Sequence, residues 1–577
     1  MSDALLNELE GRQKKEKLLS GFDRFVSATY RLMSRPAGYM SDRMPALRNQ
    51  LLKSNLRVSP EGLMSLALFF TVLTGALTVP LAAFGQIYHL LPLGATQVSL
   101  LVFLPFATPL VFLLVLQLPN FSASARAAAI DVELPFVLGY MSVLAGGGVS
   151  PIETLRRISK MDVLPTSSKE AKRLLLETDV FGADPITAME KAAKLNPSRY
   201  WSEFLEGYTA VLKTGGNFEN YVQIKLRDLI ATRGAANRRS SDFTGTIAEA
   251  YLTVTVVLGM TLYTLYMTQT LISHNISGLQ SIYVFAFLVV PLISVGFVYL
   301  LDAVQQKFPY TDYRPYKAFA VTAPIGALFF FVPLVWIPVY LHMGIALMLA
   351  ASVPAVIGTR ASRLRRKLEH ALPDFIADVT EGRKTGLSPE QSIERLTSRN
   401  YGVLTPYVTK MGAQISWGVS LSTVISTFTA KIGSWITRAM GILMIEVVDV
   451  GGGTAKSFTE MASFARTIND LETERRSALR PFVMITYISG VMIIMTTFIL
   501  VYMLTSPGTT GFGGGTAIDP GTIDLLISTS VFDSFIIGLV AGKMGEGSVA
   551  DGFKHSIALV MISIVAVQVA KLFIAIP

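Results

Sequence analysis

The chain has no cysteine, which excludes disulfides, thiol nucleophiles and thiolate metal sites together. Charge is scarce as well: Asp, Glu, Lys and Arg make up 16% of the residues, against roughly 25% in soluble domains. Its five histidines, His89, His274, His342, His370 and His555, show neither metal-ligand spacing nor a dyad with a carboxylate. Alternating strand-like runs are missing from the polar stretches. Hydrophobic residues fill the space, at 51% of 577. These absences exclude most enzyme classes and leave an all-α, polytopic membrane protein with no expected catalytic, cofactor-binding or metal residues.

A motif is written twice. Glu133-Leu134-Pro135-Phe136 returns as Ala371-Leu372-Pro373-Asp374, and Gly148-Val149-Ser150-Pro151-Ile152-Glu153 as Gly386-Leu387-Ser388-Pro389-Glu390-Gln391. Gly182 answers to Gly418, Gly215-Gly216 to Gly451-Gly452, and Arg238-Arg239 to Arg475-Arg476. Each copy then runs directly into a long apolar stretch.

Apolar runs long enough to cross a bilayer fall near 62–84, 97–118, 246–271, 281–301, 318–338, 341–358, 481–504, 523–543 and 556–576. The fifth and sixth are one stretch, split at Pro338 to Gly344. Basic residues are missing from every second connection, near 85–96, 272–280, 339–340 and 505–522; 49 of the 50 Lys and Arg lie on the other side, with Lys571 the exception. The positive-inside rule then places the N-terminus and both repeats in the cytoplasm and the C-terminus outside the cell membrane. Residues 1–58 are polar and basic without an apolar core, so no cleavable signal is expected there. The organisation that follows is a basic N-terminal region (1–58), two spans (59–118), a helical bundle (119–245), four spans (246–358), a second bundle (359–480) and three spans (481–577). The net charge of +9 follows from this bias, with lipid headgroups rather than nucleic acid as the partner.

Pro135 and Pro373 predict helix starts, since proline suits a first turn. Ser150-Pro151-Ile152-Glu153 and Ser388-Pro389-Glu390-Gln391 predict serine-capped starts with Glu153 and Gln391 closing capping boxes. Asp184-Pro185 and Asn196-Pro197 predict two more. Gly451-Gly452-Gly453-Thr454-Ala455-Lys456-Ser457 is no phosphate loop: a Walker motif needs glycine before its lysine, and Ala455 stands there. Asp533, an acid near mid-span, raises a functional question, for which a structural partner among nearby Ser and Thr is the simpler answer. Asn275-Ile276-Ser277 matches a glycosylation acceptor.

The stretches Glu133 to Arg157 and Leu372 to Arg395, each with a Leu-Pro opening, a glycine turn and a Ser-Pro helix start, resemble the F domain of type II secretion and type IV pilus platform proteins. Two such domains among nine spans resemble the archaeal form. The Gly146-Gly147-Gly148-Val149-Ser150-Pro151 string and the long basic N-terminus resemble the archaellum branch, the FlaJ/ArlJ family. The resemblance implies a non-enzymatic platform that docks a cytoplasmic hexameric ATPase and gathers pilin- or archaellin-like subunits into a filament, with rotation in the archaellum. A second copy of the chain is a further candidate partner. Arg156, Arg157 and Lys160, and Arg383, Lys384 and Arg395, are the candidate ATPase-docking residues. Arg238, Arg239, Arg475 and Arg476, just before the spans that leave each bundle, are candidates for a joint between bundle and membrane, pairing with lipid phosphate or with Glu249, Glu472 or Glu474. The rival reading is a secondary transporter, whose repeats normally duplicate the spans themselves.

Overall fold

The structure, a computed structural model, describes residues 21–56, 58–87, 107–261, 284–305, 312–332, 336–451, 454–505 and 520–573. Among these the chain is helical and forms no strand. The helices are α1 (Gly21–Asp42), α2 (Pro45–Ser54), α3 (Pro60–Ile87), α4 (Ala107–Gly146), α5 (Pro151–Ile158), α6 (Pro165–Asp179), α7 (Pro185–Leu195), α8 (Arg199–Thr214) and α9 (Phe218–Thr253). They continue as α10 (Val290–Val304), α11 (Arg314–Phe331), α12 (Val339–Lys384), α13 (Pro389–Arg395), α14 (Thr405–Ser416), α15 (Leu421–Lys431), α16 (Trp435–Gly451), α17 (Ala455–Thr505), α18 (Pro520–Glu546) and α19 (Gly552–Phe573). Among the described residues seven helices are long and apolar enough to cross a membrane. These coincide with seven of the nine apolar runs; the run at 62–84 lies in α3 and that at 318–338 overlaps α11. The parts of the runs at 97–106, 262–271 and 281–283, and the Asn275 acceptor, lie outside the described residues.

Pro135 and Pro373 do not start helices. Pro135 lies inside α4 and Pro373 inside α12, which are 40 and 46 residues long. At 1.5 Å per residue a helix of that length spans about 60–70 Å, twice the ~30 Å hydrocarbon core, so each carries its span onward into an extramembrane bundle. An internal proline costs about 3 kcal/mol through a lost hydrogen bond and a ring clash. Burial of the neighbouring apolar side chains offsets this: Phe136, Val137 and Leu138 beside Pro135, and Leu372, Phe375 and Ile376 beside Pro373.

The chain divides into two compact units, Met1–Leu134 with Leu155–Tyr221, and Pro135–Thr154 with Val222–Pro577. In the first, α1 and α2 fold onto α3: Ala37, Leu47, Leu51, Leu63 and Met64 form the core, with Phe112 and Val115 packed against it. Phe25 meets Phe69 edge-on at 5.7 Å, and Tyr30 donates to Glu61 at 2.8 Å. Arg126 donates to Glu170 through Nε at 3.0 Å and through Nη2 at 2.7 and 2.6 Å. Glu133 caps α6 from another helix, accepting from the backbone N–H of Thr166 and Ser167 at 3.1 and 2.7 Å. The Asp184 carboxylate caps α7 as its sequence predicts. Asn196 does not start a helix; it closes α7, and Ser198 caps α8 instead.

In the second unit α12 to α16 form the second bundle, and the capping box of Ser388 with Gln391 is complete. Ser150 accepts from the Glu153 N–H at 3.4 Å in the same role. Beyond the bundle, α12, α17, α18 and α19 pack around Tyr340, Ala351, Ile494, Val501, Ile527, Val531, Phe535 and Val560. The turn after α18 is pinned by polar contacts: Lys543 to Asp302 at 2.7 Å, Ser362 to Asp551 at 2.7 Å, and Glu546 to both Arg366 and Lys554.

Candidate functional site: the paired exit helices

α9 and α17 are the helices through which the chain leaves each repeat. Within the second unit they run side by side and in the same direction, and residues meet their repeat counterparts or the residue next to them. The Gln223 amide donates to Glu460 at 3.3 Å, 237 residues on, and Arg238 Nε donates to Glu474 at 2.9 Å, 236 residues on. Gly234 faces Leu471, 237 residues on, and the Phe482 ring lies over Gly245 at the same offset. Equivalent patches meeting in this way have the geometry of an isologous dimer contact, with the pseudo-twofold axis along the helices. The end of α4 joins them: Phe136 meets the Trp435 ring at 4.3 Å and Phe464 at 5.7 Å, and Phe464 sits against Gly139. An added Cβ at Gly139 would strike that ring.

The four candidate joint arginines separate at this contact. Arg475 holds Glu472 through Nε and Nη2 at 3.0 and 2.8 Å. Arg476 reaches Glu472 through Nε at 2.8 Å and Glu369 of α12 through Nη2 at 2.9 Å. Arg476 therefore bridges the helix that enters the second bundle to the helix that leaves it, and a single ammonium could not span both acids in this way. Glu472 and Glu369 are buried. Arg238 is exposed and ties the two exit helices through Glu474; Arg239 is exposed too.

A duplicated clamp escaped the sequence reading. Ser434 caps α16, accepting from the Thr437 N–H at 3.2 Å, while its hydroxyl donates to Glu369 at 2.7 Å. In the first unit Ser198 caps α8 and donates to Asp131. Asp131 and Glu369 each stand four residues before the internal proline. Both acids bind the long entering helix to the N-terminus of the bundle's later helix. The only sequence signal was an acid at matching places in the two copies, four residues before each Leu-Pro proline.

The candidate docking residues lie at helix ends: Arg156 and Arg157 in the last turn of α5 with Lys160 just beyond it, Arg383 and Lys384 in the last turn of α12, and Arg395 at the end of α13. Arg156 and Lys160 are exposed and Arg157 half-buried; Arg156 approaches Asp179 at 3.4 Å. Lys384 pairs with Glu381 at 2.8 Å on its own helix, and the Arg383 guanidinium donates to the Leu387 carbonyl of the turn that follows. Arg395 is exposed.

Asp533 is buried, beside a small cavity with room for about one water molecule, lined also by Thr255, Val256, Gly259, Val290, Ile493 and Thr496. Two π-helical turns, Val254–Leu258 and Phe285–Val289, occur in the flanking helices, and Ser528, Thr529, Ser530 and Ser534 are buried on its own. Among the described residues no group of three or more His, Cys, Asp or Glu could hold a metal ion.

The family model of type II secretion system (T2SS) protein F matches residues 137–266 and 375–502. The chain carries this domain twice. Each match opens two residues after a Leu-Pro proline and takes in one exit helix as far as its apolar part, so the protein F domain includes the paired surfaces described above. An uncharacterised protein of Methanocaldococcus jannaschii is 23% identical over 494 residues, covering 78% of this chain and 82% of that protein. No solved structure matches the chain.

Proposed function

We propose that this protein is the integral-membrane platform of a filament-assembly machine of the type II secretion and type IV pilus kind, serving an archaellum or a type IV pilus-like filament. It docks a cytoplasmic hexameric ATPase and gathers pilin- or archaellin-like subunits. The observation that carries this reading is the pair of protein F domains whose exit helices lie in register and run unbroken into apolar helices. Helices of that length give a stiff route by which displacement at a bundle reaches the bilayer. A secondary transporter is less suited, because the duplicated element here is the bundle with its exit helix and not the set of spans.

Affinity purification of the full chain from its native membranes is expected to bring down a secretion ATPase. Reversing Arg383, Lys384 and Arg395 to Glu should lower that recovery several-fold while the chain stays in the membrane. Absence of any ATPase from the wild-type preparation would refute the reading.

Orientation gives a separate test. The protein has no native cysteine, so single cysteines report without background. Cysteines at Ser277 and Thr510 are expected to react with an impermeant maleimide in whole cells, and those at Ser426 and Ser463, both exposed, only after lysis. The reverse pattern would invert the topology and move the bundles away from any cytoplasmic partner.

A further inference from the structure

The two bundles share a fold but differ in charge. Residues 395–445 contain Arg395, Arg399, Lys410, Lys431 and Arg438 and not one Asp or Glu. The equivalent stretch of the first repeat, 159–209, holds eight acids and seven bases. The fold therefore does not require an acid-free surface.

Arg399 is used internally, on Asp378 at 2.7 Å. Lys410 on α14 and Lys431 at the end of α15 are both exposed and side by side, and the Lys410 ammonium holds the Lys431 amine below its ordinary range. Among the described residues no carboxylate pairs with Lys410, Lys431 or Arg438. Like charges fixed next to each other repel, and an anion placed between them removes that repulsion.

The remainder of the hairpin face is low and polar: Ala413, Ser416, Ser420, Thr423, Ser426 and Ala430 are exposed. Behind it Val408, Met411, Val424, Ile425 and Phe428 are buried and hold the two helices together. At the tip stands Trp417, 85% exposed, projected by a turn whose next residue, Gly418, has φ +81°. A side chain larger than hydrogen is strained at that φ, which explains the glycine. The first repeat keeps the same device, with Phe181 at 74% exposure before Gly182 at φ +66°. An indole standing in solvent is the residue type that most often anchors a protein interface.

We propose that the α14–α15 hairpin is a docking face for an acidic protein, which receives Trp417 in an apolar pocket and sets carboxylates against Lys410 and Lys431. The inference rests on the platform reading only in taking the partner to be cytoplasmic. A lipid surface fits less well, because membrane-binding faces combine basic residues with several large apolar ones, and this face offers one indole among hydroxyls and methyls.

The test places a photo-crosslinking amino acid at Ala430 of the full-length protein in its own membranes. The expected result is one predominant adduct with an acidic cytoplasmic protein. Either Trp417→Ala or the pair Lys410→Glu and Lys431→Glu should reduce it about tenfold or more, equivalent to ~1.4 kcal/mol of binding, at unchanged membrane yield. Adducts with lipid alone, no adduct, or an adduct indifferent to both variants would overturn the proposal. If the trapped protein is acidic but not a secretion ATPase, the docking face stands and the platform reading loses its partner. If the ATPase co-purifies yet leaves no adduct at Ala430, the platform reading stands and the hairpin face falls.

Discussion

Glu369→Ala is expected to destabilise the second bundle by about 2–3 kcal/mol through the loss of charge-assisted hydrogen bonds to a buried acceptor, Arg476 keeping Glu472 as its counter-charge. Two groups lose their acceptor at once: Arg476 Nη2 at 2.9 Å and the Ser434 hydroxyl at 2.7 Å. Glu474→Ala is the control. Its partner Arg238 is largely exposed, and exposed pairs contribute about 1 kcal/mol or less. Thermal unfolding of the detergent-solubilised protein should therefore show a clear loss for the first and almost none for the second. The substitution of Arg475 and Arg476 by Lys should resemble Glu369→Ala, because it keeps charge and removes the fork. Equal melting of all variants would show that the network contributes nothing, and the arginines would then be charge anchors only.

Gly542→Val should prevent α18 and α19 from closing. A Cβ at Gly542 would collide with the backbone of Gly552, and one at Gly538 with the backbone of Ser556. Small residues let two membrane helices approach until their backbones touch, and packing and hydrogen bonds across the seam then hold them. Here Ser556 donates to the Phe535 carbonyl at 2.8 Å and Ser563 to Ser534 at 2.7 Å. Separating the helices breaks these bonds and opens the core around Val531, Phe535 and Val560. Overpacking of this kind costs up to about 3 kcal/mol before the bonds are counted. The expected readout is loss of the monodisperse peak in size-exclusion chromatography. Gly296→Val, at a position with nothing within 4 Å, should leave the peak intact; equal behaviour of the two would refute the close crossing.

Some of the architecture was legible and some was not, for identifiable reasons. The Ser388 capping box spans four residues and could be read directly, as could the Asp184 cap. Asn196-Pro197 carried the same signature and misled, because Ser198 also offers a hydroxyl and only the placing of Asp131 decides between them. The Leu-Pro openings misled more seriously. Proline's local preference for a first turn was outweighed by the burial of the residues packed around Pro135 and Pro373, which a local rule does not contain. The docking candidates were chosen as basic residues at matching places. Matching places did not mean matching surroundings: Arg156 lies near Asp179, and Arg383 closes its own turn.

By itself the sequence determined the duplication, the all-helical class and the apolar runs. Each of those is a property of neighbours along the chain: a repeated string, a helical period, a run of about 20 residues without charge. Tertiary structure alone decided which acid meets which arginine, that α9 and α17 pair counterpart to counterpart, and that glycines rather than charges bring α18 onto α19. Those contacts join residues up to 237 positions apart. Their strength depends on separations of a few ångströms and on exclusion of water, quantities that exist only once the helices have packed.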